Sequence, residues 1–325
     1  MNFNKNSMNF SKILVTGADG FIGKNLCAHL KESGYKVRGA VRSIKLFSIP
    51  HGDEIYEIGS IGASTDWSEA LSGVQAVVHL VGLTHKINDS TLTLDDYMEI
   101  NFKASIKLAS KASDMGVRRF VFLSSVKAAG ERSFDRPLRE DDPPLPEDFY
   151  GISKLEAENG LFDLSLKTGM DLVVIRPPLV YGPGVKGNFL SLIDAVSKGV
   201  PLPLSGIKNK RSMVSVFNLV DFVAHAIKHE KAGGETFFVS DNHDISTPEL
   251  VRSISKLLGK PARLFPIPLT ILKNTAWLTG KSSVIEKLTG SLQVDIKKAV
   301  SLLGWKPPMG FNEGLKKTVS WYISR

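Results

Sequence analysis

The chain has 325 residues, of which 42% are hydrophobic and 23% charged, with a formal net charge of +8. That length buries a substantial core, in two domains or in one domain with a lobe, and the composition excludes a disordered, collagen-like or disulfide-framed chain. One cysteine, Cys27, excludes an internal disulfide, and no uninterrupted apolar run approaches the ~18 residues of a membrane span.

Residues Met1–Ser11 are Asn-rich and lack an apolar signal core. They are expected to be a disordered leader, with Met8 a possible natural start, and the chain is expected in the cytoplasm. The apolar run Lys12–Thr16 predicts a first strand, and Gly20–Ser33 a helix that buries Cys27. Between them lies Gly17-Ala-Asp-Gly20-Phe-Ile-Gly23. Gly17 permits a tight turn, Gly20 admits a phosphate to the backbone, and Gly23 lets helix and strand pack closely. This spacing predicts a dinucleotide on the helix N-terminus, with Phe21 and Ile22 in the same turn.

The second strand, Lys36–Val41, should end at an acid if the cofactor is NAD, because a carboxylate there holds the ribose 2′-hydroxyl. The chain has Arg42 instead. Arg42 either faces a 2′-phosphate or is a solvated strand-end cation. The first reading favours NADP(H) over NAD(H).

Further strands are expected at Glu54–Ile58, Ala76–Leu80, Arg119–Leu123 and Leu172–Ile175. Helices are expected at Asp66–Leu71, Leu94–Met115 and Gly151–Thr168. Gly34, Gly73, Gly116 and Gly169 fall just past predicted helices, where a left-handed residue is wanted. This alternation predicts an α/β fold, a Rossmann-type doubly wound parallel sheet. Residues 1–183 would form it. Residues 184–325 would form a smaller C-terminal α/β lobe for substrate, with strands at Met213–Val216 and Thr236–Val239 and helices at Phe189–Lys198, Leu219–His229, Pro248–Leu258 and Ile296–Leu303. The apolar stretch Leu264–Leu278 is broken by Pro266, Pro268, Lys273 and Asn274. The short basic cluster Lys208–Arg211 has no interleaved aromatics, so no nucleic-acid partner is expected. No metal is expected either.

The reactive residues are Ser125, Tyr150 and Lys154. A phenol with a pKa of about 10 is a poor base alone. Lys154, one helical turn after Tyr150, can lower that pKa and hold the nicotinamide ribose. Ser125 closes a strand at the carboxyl edge, where its hydroxyl can bind the substrate oxygen.

These motifs resemble those of the extended short-chain dehydrogenase/reductases, in the nucleotide-sugar epimerase, dehydratase and reductase group. The resemblance spans nearly the whole chain. It includes His79-Leu-Val-Gly82, Asn101, Arg176-Pro-Pro-Leu-Val-Tyr-Gly-Pro183 and Leu303-Gly-Trp-Lys-Pro307. It implies cofactor contacts at Ser60, Ile61, Val81, Asn101 and Pro178 as well as at the glycine turn, Tyr150 and Lys154. It implies substrate contacts at Ser125, Tyr150, Asn188 and Phe189, with Arg211 on a nucleotide diphosphate. Val126-Lys127 stands where many 4,6-dehydratases carry Asp-Glu, which disfavours dehydration. Lys127 either contacts a sugar or phosphate or is solvated. The resemblance further implies a homodimer through two helices per subunit. The leading expectation is reduction of a UDP-4-keto-6-deoxy-N-acetylhexosamine at C4 in bacterial surface-polysaccharide synthesis. A UDP-hexose or UDP-N-acetylhexosamine 4-epimerase with tightly held NAD is the alternative, and a non-catalytic nucleotide sensor a distant one.

Overall fold

A computed structural model of the chain describes residue 8 and residues 10–44, 54–84, 91–278 and 282–325. Its strands are β1 (Lys12–Thr16), β2 (Lys36–Val41), β3 (Glu54–Glu57), β4 (Ala76–His79), β5 (Arg119–Leu123), β6 (Asp171–Arg176), β7 (Leu179–Tyr181), β8 (Met213–Ser215) and β9 (Glu235–Phe238). Seven of them form one parallel sheet in the order β3-β2-β1-β4-β5-β6-β9. Every residue of β4 and β5 is buried, as a parallel sheet covered on both faces requires.

The two layers of cover follow from apolar helical spacing. Helices α1 (Phe21–Glu32) and α7 (Val216–Lys228) cover one face, with Leu26, Cys27 and Leu30 packed among Leu219, Val223 and Ile227. Helices α2 (Ser68–Leu71), α4 (Ala104–Asp114) and α5 (Phe149–Thr168) cover the other, through Leu71, Leu108, Ala112, Ala157 and Leu161. The helix expected over Leu94–Met115 is in three parts. Helix α3 (Leu94–Tyr97), opened by a Thr93–Asp96 capping box, runs through a π-helical turn at Met98–Lys103 into α4. Gly34, Gly73, Gly116 and Gly169 all have positive φ, as their helix-end positions predict.

Not all of the chain beyond 183 leaves the sheet, since α7 and β9 return to it. Buried Arg119 fastens α7 there by donating to the carbonyls of Ala226, Ile227 and His229 and pairing with Asp171. The remainder builds a lobe. It contains the β7–β8 pair, α6 (Gly187–Ser197), α8 (Thr247–Leu257), α9 (Leu269–Leu278), α10 (Ser282–Thr289) and α12 (Phe311–Ile323), whereas α11 (Lys297–Leu303) packs on β9 with Ala299 and Leu303 in the core beneath α1 and α7. Asp241, just past β9, joins lobe to sheet by accepting from Tyr181 Oη at 2.6 Å, Ser215 N at 2.8 Å and Asn218 Nδ2 at 2.7 Å.

The leader is shorter than expected. Phe10 is buried in the core, the Met8 amide donates to Lys228 O, and Ser11 bonds to Gln75, because the chain must lie along the sheet to begin β1. The rest of the expected leader, residues 1–7 and 9, lies outside the described residues. Among the described residues no helix is long and apolar enough to cross a membrane.

Candidate active site

The strand order reverses between β1 and β4, and open sheets bind ligands at the carboxyl ends of such a pair. Gly17 leaves β1 with φ +67, and a Cβ on it would meet Val81 Cγ2 at 3.2 Å. A Cβ on Gly23 would lie 2.1 Å from Gly17 O, so only glycine lets α1 pack this close to the turn. Gly20 is the N-cap of α1, and no side chain caps that end. The first-turn N–H groups and the helix dipole therefore face outward at a glycine-lined cradle, which fits a pyrophosphate. Phe21 and Ile22 are half-buried, and a Cβ on Gly182 would lie 3.5 Å from the Phe21 ring.

The trio gathers beside this cradle. Ser125 follows β5, its Oγ accepts from Lys127 N at 3.2 Å, and its hydroxyl lies near the Tyr150 phenol. Burial pushes Tyr150 up to about 12; the nearby Ser125 hydroxyl lowers it, and Asp148 and Tyr97 raise it. Lys154 is buried. Its Nζ donates to Leu123 O at 2.9 Å and sits 4.4 Å from the centre of the Phe122 ring. Burial pulls Lys154 down to about 8, against the attraction of Glu158. The expectation that Lys154 lowers the tyrosine is corrected here: burial dominates Tyr150, and the lysine ammonium is directed to a carbonyl. A Cβ on Gly82 would lie 3.2 Å from Lys154 Nζ, which places the ammonium at the loop after β4, beside Val81.

Several expected contacts are already engaged within the protein. Asn101 is buried; its Oδ1 accepts from Leu83 N at 2.7 Å, and its Nδ2 donates to Leu83 O and Ser153 Oγ. Its side chain thus pins the β4 loop against α5. Phe189 is buried and stacks on Tyr181, so its ring belongs to the lobe core and not to a substrate surface. Asn188 beside it is exposed. Lys127 is neither solvated nor free for a phosphate. It pairs with Glu131 at 2.9 Å and with Asp148, whose carboxylates outweigh burial and hold its ammonium above the ordinary value. Arg211 is not on a solvated loop. Its Nη1 donates to Lys287 O at 2.9 Å and Gly290 O at 3.1 Å, and its backbone bridges Ile245 and Leu292. Pro178 is buried between β6 and β7, while Arg42 and Ser60 are exposed after β2 and β3 and Ile61 is half-buried.

Three residues escaped the sequence reading. Glu158, four residues after Lys154 on the same helix face, is buried between Ser124 Oγ and Arg176, whose Nε lies 3.0 and 3.1 Å from its two oxygens. The i, i+4 spacing was the available signal. Glu57, at the end of β3, accepts from Ile44 N at 3.0 Å and so sets a carboxylate at the loop after β2. Lys287 lies within the field of Lys127, Glu131, Asp148 and Arg211; burial and Lys127 lower its pKa. Among the described residues no cluster of His, Cys, Asp or Glu could hold a metal.

Residues 13–240 match the model of the NAD dependent epimerase/dehydratase family. The chain is 44% identical to the UDP-glucose 4-epimerase of Vibrio cholerae, over 96% of this chain and 95% of that protein. It is 28% identical to the N-acetyl-alpha-D-glucosaminyl-diphospho-ditrans,octacis-undecaprenol 4-epimerase of Escherichia coli O157:H7, over 95% and 94% of the two chains. Among solved structures it is similar to MoeE5 in complex with UDP-glucuronic acid and NAD, with a TM-score of 0.76, 26% identity and coverage of 97% and 99%. These comparisons lend no support to the NADP(H) preference drawn from Arg42. Together they establish that the chain belongs to the NAD dependent epimerase/dehydratase family and is an enzyme of it.

Proposed function

We propose that the protein is an NAD(H)-dependent 4-epimerase of a UDP-hexose or a UDP-N-acetylhexosamine. The observation that carries this reading is the pairing of Lys127 with both Glu131 and Asp148. These two carboxylates are thereby committed, as Glu158 is to Arg176, which leaves Tyr150, beside Ser125, as the group that moves a proton. One proton carrier suits oxidation and reduction at a single carbinol and does not suit elimination of water. The activity of the Vibrio cholerae relative supports epimerisation over the one-way reduction expected first.

The glycine cradle would hold the pyrophosphate of NAD(H), and Lys154, Val81 and Gly82 would flank its nicotinamide half. When bound, that cofactor supplies a hydride acceptor and donor at C4. Acting from its phenolate, Tyr150 would take the proton from the C4 hydroxyl and, then a phenol, would return that proton to the same oxygen, which the Ser125 hydroxyl would also bond. Lys154, drawn down to about 8 by burial, is a cation that a ribose can hydrogen-bond. Arg211 faces the diphosphate. Glu57 at the loop after β2 repels a 2′-phosphate, which supports NAD(H).

The test is incubation of the purified protein with UDP-glucose or UDP-N-acetylglucosamine and no added cofactor. The galacto epimer, followed by proton NMR, is the expected product. Absence of epimer, together with oxidation of added NADPH by a UDP-4-keto-6-deoxy sugar, would restore the reductase reading.

A further inference from the structure

We propose that the outer face of α9 docks on a membrane surface rich in anionic phospholipid. Helix α9 turns Leu272 inward, into a cluster with Leu204 and Ile207. Its other large apolar side chains remain in water: Trp277 and Leu278 are each 75% exposed and Ile271 is 53% exposed, with Leu269 beside them. Tryptophan is seldom left this bare; Trp67 and Trp305 of this chain are buried. An indole next to leucine suits the boundary between headgroups and acyl chains. Ten residues are too few to span a bilayer, so the helix would lie in the interface plane.

Charge identifies the occupant. From Leu250 to Ile285 the sequence carries six Lys and Arg and no Asp or Glu, although the whole chain holds 33 carboxylates. Lys256, Lys260 and Arg263 of this stretch are exposed on the approach to α9. A basic run beside an apolar helix, with Glu286 on α10 as the flanking carboxylate, complements a negative lipid surface. It opposes a second copy of this chain, because a two-fold contact would set the same cations against each other. The face also adjoins the site: α9 packs on α10, and the carbonyls of Lys287 in α10 and of Gly290 just after it hold Arg211. Docking would therefore bring the mouth of the lobe to the lipid surface, whatever sugar the site takes.

The full-length protein is mixed with vesicles of phosphatidylcholine alone, or of phosphatidylcholine with phosphatidylglycerol, and floated on a density gradient. Binding to the phosphatidylglycerol vesicles, weakening with salt, is the expected result. The variant W277D/L278D should lose at least about tenfold in vesicle affinity while keeping its turnover of a soluble UDP-sugar and its sedimentation coefficient. The variant K260E/R263E should lose the preference for phosphatidylglycerol. Wild-type protein that fails to float, or W277D/L278D that floats like wild type, overturns the proposal. So does a fall in the sedimentation coefficient of W277D/L278D, which would assign the face to a second copy.

Discussion

Asp148 caps the helix that carries Tyr150 and at the same time pairs with Lys127 of the serine loop. Its Oδ1 accepts the Gly151 N–H at 2.8 Å and its Oδ2 meets the Lys127 ammonium. The two sides of the reactive edge, one following β5 and one opening α5, are thus tied by one carboxylate. A Cβ on Gly151 would lie 2.5 Å from Lys127 O, so the backbones also touch here.

Asp148→Ala should cost about 1 to 3 kcal/mol, because it removes the cap and leaves Lys127 with Glu131 alone. Asp148→Asn keeps an oxygen for the cap and should fall between the two. Urea unfolding of the three proteins checks the order; equal midpoints would show that the pair is only decorative.

Tyr150→Phe should keep cofactor binding and lose on the order of a hundred- to ten-thousand-fold in turnover, since only the transferable proton is removed. Stopped-flow binding and steady-state kinetics separate the two quantities. Near-normal turnover would mean that another group carries the proton.

Lys154 titrates near 8 in the fold and near 10.5 in the unfolded chain. Below 8 both states are charged and the fold carries the full penalty of a buried ammonium. Between 8 and 10.5 the unfolded state binds more protons, so stability rises with pH across that window. Lys154→Met should therefore melt higher than wild type at pH 7, by up to roughly 3 kcal/mol, with the margin shrinking towards pH 10. Tyr150 acts oppositely, but only above its ordinary value of 10, where the fold retains a proton that the unfolded chain loses. Melting curves at pH 7 and pH 10 decide the sign, and the variant should be inactive.

Arg211→Ala should weaken UDP-sugar binding several-fold or more and leave cofactor affinity unchanged, since the cofactor phosphates would sit at the Gly17–Gly23 turn. The guanidinium also holds the Lys287 and Gly290 carbonyls, so Arg211→Lys is the needed companion. Lysine keeps the charge but loses the planar fork, and should be intermediate. Calorimetric titration with NAD and with UDP-glucose tests both; unchanged UDP-glucose affinity in the alanine variant would remove Arg211 from the diphosphate.

The helices α4 and α5 pack closely, with Gly160 against Phe102 and Ile106, and leave Leu166 85% exposed. A homodimer through these helices is expected, and Leu166→Asp should shift it towards monomer. Sedimentation equilibrium at micromolar concentration is the check, and a monomeric wild type would refute it.

Much of this molecule was legible in one dimension because the determining physics is local. The Gly17–Gly23 turn, the helix-end glycines, and Tyr150 and Lys154 one turn apart depend on dihedral angles and helical pitch. Continuous apolar runs at β4, β5 and β6 required a sheet covered on both faces. Strand β7 was missed because it is three residues long and follows Pro177 and Pro178, which mask its pattern.

What the sequence determined by itself is the parallel sheet, the glycine turn at its edge and the expectation of Ser125, Tyr150 and Lys154 as the reactive trio, since each follows from spacing along the chain. Only the tertiary structure decided how those and the other polar groups are spent. Asn101 is consumed by Leu83, Lys127 by Glu131 and Asp148, Glu158 by Arg176 and Ser124, and Phe189 by Tyr181. Except for Lys127 with Glu131 and Phe189 with Tyr181, these partners lie at least 18 residues apart in the sequence. A buried polar group must find a partner to offset its desolvation, and which one it finds depends on the packing of whole elements and not on residue type. The same holds for α9: its apolar residues are plain in the sequence, but only the packing of the lobe shows that Leu272 is covered while Trp277 and Leu278 are not.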